Sequence, residues 1–143
     1  MEKCTIVVPC YNEEEAIPLF YEATNEALKD MPLEIEYLFV NDGSRDKTLD
    51  VLRELSEKDA RVHYVSFSRN FGKEAAMLAG MEYAVKADFI GILDADLQHS
   101  PDIIPEMLRF VDKEGYDVAA ANREDREGEA KFKSFLSESF YKA

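Results

Sequence analysis

The chain alternates short apolar runs rich in β-branched residues with longer segments whose apolar residues recur at helical spacing. Runs of the first kind fall at 5–9, 36–40, 62–67, 89–93 and 117–121, and their length and composition predict strands. After the first, Leu19, Phe20, Ala23, Ala27 and Leu28 share one face of a helix that would start near Ala16, with Pro18 in its first turn. Leu49, Leu52 and Leu55 mark a second helix, which Ser44 or Asp46 would cap. Further helices are predicted over 73–85, over 101–111 with Ser100 as cap and Pro101 as first residue, and from 130 to the end. Phe132, Phe135, Leu136, Ser139 and Phe140 would form an apolar face on that last helix, with no later partner in sequence. Such a face packs on the sheet, on a segment that a fragment would lack, or on a partner chain, so a homo-oligomer stays open.

This alternation of strand and helix predicts an α/β fold with a mostly parallel sheet and helices on both faces. The 143 residues are enough for one compact domain and too few for two. Each of the first four strands runs into a polar cluster: PCYNEEE, NDGSRDKT, SRNFGKE and DADLQHSPD. In a parallel sheet with right-handed crossovers those four ends share one edge, the edge at which open α/β sheets bind ligands.

Charge narrows the ligand. A formal net charge of −13 argues against a phosphate-backbone reader, which would need clustered Lys and Arg. An anionic ligand would therefore need a local cation. No GxGxxG follows the first strand and no GxxxxGK[ST] exists, so phosphates would not be cradled by a glycine loop. Cys4 and Cys10, at the two ends of one extended segment, are too far apart for a disulfide, and two cysteines make a thiolate metal site a poor expectation. No G-x-S-x-G or Cys/His pairing suggests a covalent nucleophile. His63 and His99 carry no ligand spacing. No apolar stretch approaches the roughly 20 residues that cross a bilayer, and MEKCTIVV lacks a signal-peptide pattern, so the expectation is a soluble, intracellular chain.

The fourth cluster carries the sharpest chemistry. Asp94 and Asp96 follow FIGIL two residues apart, so on an extended strand end both side chains face the same way, and Gln98 continues the line if the chain stays extended. Three hard oxygen donors suit Mg²⁺ or Mn²⁺, with water and substrate phosphate completing the shell. Asp42, before Gly43, would present a carboxylate to a base imide or a ribose hydroxyl, or serve as an Asx-turn residue. Tyr11 would stack on a base or pack in the core.

Taken in order, IVVPCYNEE, FVNDGSRDKT, SFSRNFGKEAAMLAG, ILDADLQHSPD and NREDR closely resemble family 2 glycosyltransferases of the GT-A fold, in particular the polyprenyl-phosphate group typified by dolichol-phosphate mannose synthase and bactoprenol glucosyltransferases. The resemblance spans essentially the whole chain. It implies the N-terminal, nucleotide-binding part of a GT-A domain (1–143), truncated at its C-terminus and by itself inactive in transfer. It implies that Pro9, Tyr11 and Glu13 line the nucleoside pocket and that Val40 and Asp42 contact base or ribose. Asp94, Ala95 and Asp96 would form a DxD motif at the donor, with Asp94, Asp96 and Gln98 as metal ligands. Arg123 would reach the donor diphosphate, assisted by Arg126, and Arg69, Asn70 and Lys73 would belong to a segment beside the donor site. Asp96 and Arg123 would be the catalytic pair, as electrostatic stabilisers of the departing diphosphate.

The activity so implied is inverting transfer from a nucleotide sugar, a UDP-sugar by preference and GDP-mannose otherwise, to a polyprenyl phosphate, as in cell-wall or glycolipid biosynthesis. A phosphate acceptor with a second pKa of about 6 is largely ionised at neutral pH and needs no general base. The full-length protein would sit at the cytoplasmic face of the membrane. Transfer to a polysaccharide or glycan hydroxyl is the alternative, with DADLQHSPD favouring the lipid phosphate. A receiver-like phosphoacceptor module would need an aspartate after the third strand and a lysine after the fifth, where Ser68, Arg69, Asn122 and Arg123 stand instead.

Overall fold

The computed structural model describes residues 1–97 and 101–120, and the backbone of 139–142. Among the described residues, six strands form one sheet: β1 (Lys3–Cys10), β2 (Glu34–Asn41), β3 (Val62–Ser66), β4 (Phe89–Ile92), β5 (Val118–Ala120) and β6 (Ser139–Lys142). Their order is β3-β2-β1-β4-β6-β5. β1 to β4 are mutually parallel, and the helices α1 (Ala16–Leu28), α2 (Thr48–Lys58), α3 (Lys73–Tyr83) and α4 (Ile104–Asp112) connect strands around them.

The period-2 alternation of β1 assigns the two faces. Cys4, Ile6, Val8 and Cys10 pack with Ile17, Phe20 and Leu28 of α1, Leu52 of α2 and Ile104, Met107, Leu108 and Val111 of α4. Val7 points the other way, into a smaller cluster with Val40, Ile90, Ile92 and Ala76 of α3. Helices therefore cover both faces, as the sequence predicts. α3 lies close on its face because Gly80 has no side chain: a Cβ there would stand 2.3 Å from Val7 Cγ1.

Several expectations need correction. The buried stripe of α1 is Ile17, Phe20, Thr24 and Leu28, while Leu19 is exposed, so the helix is rotated from the face its apolar residues suggest. α2 has Lys47 at its cap position and no side-chain cap there; Asp46 acts from one residue earlier, accepting the Thr48 N–H at 2.9 Å. Pro101 opens a 3-10 turn, Pro101–Ile103, and α4 follows it. The largest difference is at the C-terminal end. Residues 139–142 are not helical; they form β6, antiparallel to both β4 and β5. The backbone groups of β4 on the side away from β1 need ladder partners, and the Phe-Tyr pair of β6 has high strand propensity. That pairing outweighs the helical spacing, and it displaces β5 to the sheet edge. The rest of the predicted last helix lies outside the described residues.

Candidate functional site

The parallel register puts the C-terminal ends of β1, β2, β3 and β4 on one edge. β4 stops early there: Ile92 pairs with Val7, so β1 runs past it by Val8, Pro9 and Cys10. The chain also changes direction across the sheet at this place, with β2 on one side of β1 and β4 on the other. The step so made, at the switch point of an open α/β sheet, opens into a cleft of about 210 Å³ lined by Pro9, Cys10, Tyr11, Glu13, Asp42, Lys73, Asp94, Ala95 and Asp96. Nearly all of these are residues singled out from sequence.

Asp94 and Asp96 reach the cleft by a different route from the one expected. The strand ends at Ile92, Ala95 and Asp96 lie in a turn, and Leu97 takes a left-handed φ of 57°. The chain is therefore not extended from Asp94 through Leu97; Gln98 lies outside the described residues, as do His99, Ser100, Arg123 and Arg126. The carboxylate of Asp94 is paired with Lys73, Nζ to Oδ1 at 2.6 Å, with the Asp94 side chain 14% exposed and that of Lys73 48%.

Asp42 is buried, and its carboxylate is a clasp for the loop before α3. Oδ1 accepts the Phe71 N–H at 2.7 Å, and Oδ2 accepts the Gly72 N–H and an Asn70 side-chain N–H, each at 3.1 Å. Asn70 also donates to the Asp42 carbonyl. Gly43 permits this approach. It has φ +67°, and a Cβ on it would lie 2.2 Å from the Arg69 carbonyl carbon and 2.3 Å from the Asn70 nitrogen. The clasp aims Lys73, the first residue of α3, across the cleft at Asp94.

A second set of bonds holds the loop after β1. Asn12, at a left-handed φ of 54°, donates its N–H to Ser44 Oγ at 2.9 Å and accepts the Arg45 N–H at 2.8 Å. The Glu13 N–H reaches Thr48 Oγ1 at 2.9 Å, and the Glu14 N–H reaches Asp46 Oδ2 at 3.2 Å. Asn12, Ser44 and Thr48 thus orient Tyr11 and Glu13, a role the sequence reading missed. The available signal was Asn12 itself, since Asn is among the few residues that adopt left-handed backbone readily.

Three of the described candidates, Val40, Arg69 and Asn70, stand outside the cleft lining. Val40 is fully buried against Val7 and Ala76 on the α3 face and does not line the cleft, because strand alternation turns its side chain inward. Arg69 also stands outside the cleft lining, with its guanidinium 4.0 Å from the centre of the Phe71 ring.

Carboxylates crowd the cleft, and the proton affinity of Glu13 is raised there. Burial pushes the Glu13 carboxyl above its ordinary range, and the charges of Asp96, Asp94 and Asp46 push it the same way. Burial likewise raises the Cys10 thiol, with Glu13 and Asp94 adding to the effect, and Cys10 is a free, buried thiol suited to packing and not to attack. Among the described residues no group of three His, Cys, Asp or Glu side chains converges on one metal position. Mg²⁺ and Mn²⁺ are commonly held by one or two carboxylates plus substrate phosphates, and a pair of hard carboxylates in a cleft of negative potential fits that mode of binding.

The family model for glycosyl transferase family 2 matches residues 5–142. The chain belongs to that family. A Bacillus subtilis glycosyltransferase named YkcC is 46% identical over 138 residues, covering 96% of this chain and 42% of its own length. The bactoprenol glucosyl transferase of Shigella phage SfV is 41% identical over 140 residues, covering 98% of this chain and 45% of its own. The chain thus spans less than half the length of these relatives. In structure it resembles a mannosyltransferase of Pyrobaculum calidifontis, solved in complex with GDP-Man and Mn²⁺, with TM-score 0.76, 20% identity and coverage of 98% of this chain and 44% of that one. That likeness establishes the GT-A fold, of which this chain forms the N-terminal part.

Proposed function

We propose that this chain is the donor-binding part of an inverting, metal-dependent glycosyltransferase that moves a sugar from a nucleotide sugar to a polyprenyl phosphate. The observation that carries the reading is the cleft at the β1/β4 switch point, lined by Asp94, Asp96 and Glu13 together with Lys73 and Tyr11. Tyr11, 44% exposed, offers a ring on which a base can stack. Asp94 and Asp96 would hold a divalent ion, whose chemistry when bound is to neutralise charge developing on the departing diphosphate. Lys73, paired with Asp94, adds a cation to the cleft, and Arg123 would supply another. These residues bind and orient the donor and stabilise its leaving group; none is asked to form a covalent intermediate.

The lipid-phosphate acceptor is supported by the relatives named bactoprenol glucosyl transferase, and a UDP-sugar is the preferred donor, with GDP-mannose second. Transfer to a glycan hydroxyl is the less favoured acceptor reading. The acceptor side would be built by sequence beyond these residues, at the cytoplasmic face of a membrane; among the described residues no helix is long and apolar enough to cross one.

Calorimetry with UDP, GDP and their sugars, with and without Mn²⁺, tests the donor site. Binding of one nucleotide is expected, strengthened by Mn²⁺, and Asp96→Ala should abolish the metal-dependent part. Binding indifferent to the metal, or unchanged in Asp96→Ala, would refute the site.

A further inference from the structure

The pairing of Lys73 with Asp94 places a cation on a carboxylate that the donor reading gives to a metal. Lys73 Nζ lies 2.6 Å from Asp94 Oδ1, and the lysine is about half exposed where the aspartate is mostly buried. The backbone from which Lys73 springs is fixed, since Asp42 holds the N–H groups of Phe71 and Gly72. The side chain is not fixed in the same way: beyond its backbone it is a long, single-point ammonium with rotatable bonds. It can therefore move without disturbing α3.

We propose that Lys73 is an exchangeable counter-ion, which neutralises Asp94 while the cleft is empty and transfers to the diphosphate of the donor when a divalent cation takes its place. The inference rests on the donor reading above and adds a regulation of that site. Its physical basis is charge balance. Glu13, Asp94 and Asp96 line one cleft, and the ammonium of Lys73 meets Asp94 there. A nucleoside diphosphate with its divalent ion brings both a stronger partner for Asp94 and a new anion for the ammonium. Lys73 consequently competes with the metal when it arrives alone and assists it when it arrives with the diphosphate.

Opposite signs make the proposal testable. Mn²⁺ binding to the purified protein is followed by the electron paramagnetic resonance of the free ion, and binding of UDP and GDP at saturating Mn²⁺ by calorimetry. In Lys73→Met, Mn²⁺ alone should bind about threefold more tightly, as expected for removal of a partly exposed ion pair. The nucleotide that the wild type binds should bind about tenfold more weakly, as expected for loss of a charge-assisted contact to phosphate. Lys73→Arg should return both values toward wild type. A merely structural role for Lys73 would weaken both affinities in Lys73→Met. That result, or an unchanged affinity in either titration, would overturn the exchange while leaving the donor site standing. A wild-type protein that binds neither nucleotide with Mn²⁺ would overturn the donor reading and the exchange with it.

Discussion

Asp42 Oδ1 accepts the backbone N–H of Phe71 at 2.7 Å, joining the end of β2 to the start of α3 across 29 residues of sequence. With Gly72 and Asn70 on the other oxygen, the carboxylate satisfies two backbone donors that have no helical partner, at the place where a helix N-terminus leaves N–H groups orphaned. Asp42→Ala should therefore lower stability by about 2 kcal/mol, the cost of stranding such donors less what solvent recovers at this half-open rim. It should also weaken nucleotide binding, since Lys73 loses its aim. Urea unfolding and calorimetry measure the two effects; a loss below about 0.5 kcal/mol would mean that the loop is held by something else.

Gly43 makes that clasp sterically feasible. A methyl group there meets backbone atoms of Arg69 and Asn70 at 2.2 and 2.3 Å, in a left-handed conformation. Backbone cannot rotate aside as a side chain can, so Gly43→Ala should cost about 3 kcal/mol or more. Gly115 provides the control, with φ +79° and, among the described residues, no atom within 4 Å of the place a methyl group would take. Gly115→Ala should cost only the left-handed penalty of about 1 kcal/mol. Equal losses in the two variants by thermal or urea unfolding would refute the close-approach argument.

What the sequence disclosed here was determined by local chemistry. DAD after FIGIL, and NDG after an apolar strand, could be placed on one rim because each sits at a strand end and parallel strands end together. The partners of Asp42 left no such trace, since a side chain that bonds to the backbone of Phe71 and Gly72 imposes no pattern on those residues. The face of α1 was misjudged for a related reason: Thr24, a polar residue, lies on the buried stripe where Leu19 does not, and apolar spacing alone cannot register it. At 139–142 the spacing fitted a helix, but the open side of β4 offered backbone partners, and tertiary pairing decided the outcome.

Thr24 is also an opportunity for stabilisation. Its side chain is fully buried, and its Oγ1 has no hydrogen-bond partner among the described residues. Valine has nearly the same shape and carries no group to desolvate, so Thr24→Val should stabilise the protein by about 1 kcal/mol. The midpoint of urea unfolding should rise with an unchanged slope. A destabilised variant would show that the hydroxyl has a partner in solution.

Asp59 gives the fold a pH dependence at the sheet edge opposite the cleft. Arg61 grips its carboxylate, with Nε 3.1 Å from Oδ1 and Nη2 2.8 Å from Oδ2, and the Tyr21 hydroxyl donates to it as well. These bonds, the Arg61 contact foremost, hold the carboxyl well below the usual carboxylate range despite the opposing effect of burial. A carboxyl depressed in the folded state stabilises that state fully above its unfolded pKa of about 3.9 and loses the contribution as pH falls toward the folded value. Asp59→Asn should accordingly lower stability at pH 7 by about 1 kcal/mol, a modest figure because the Arg61 side chain is 46% exposed and solvent screens the pair. Below pH of about 3.9 the wild-type advantage should shrink steadily, because acid protonates Asp59 and makes it resemble the neutral variant. Urea denaturation of both proteins across pH 2–7 measures the gap, and a gap that stays constant through the acid range would assign the stabilisation to shape and hydrogen bonding instead of charge.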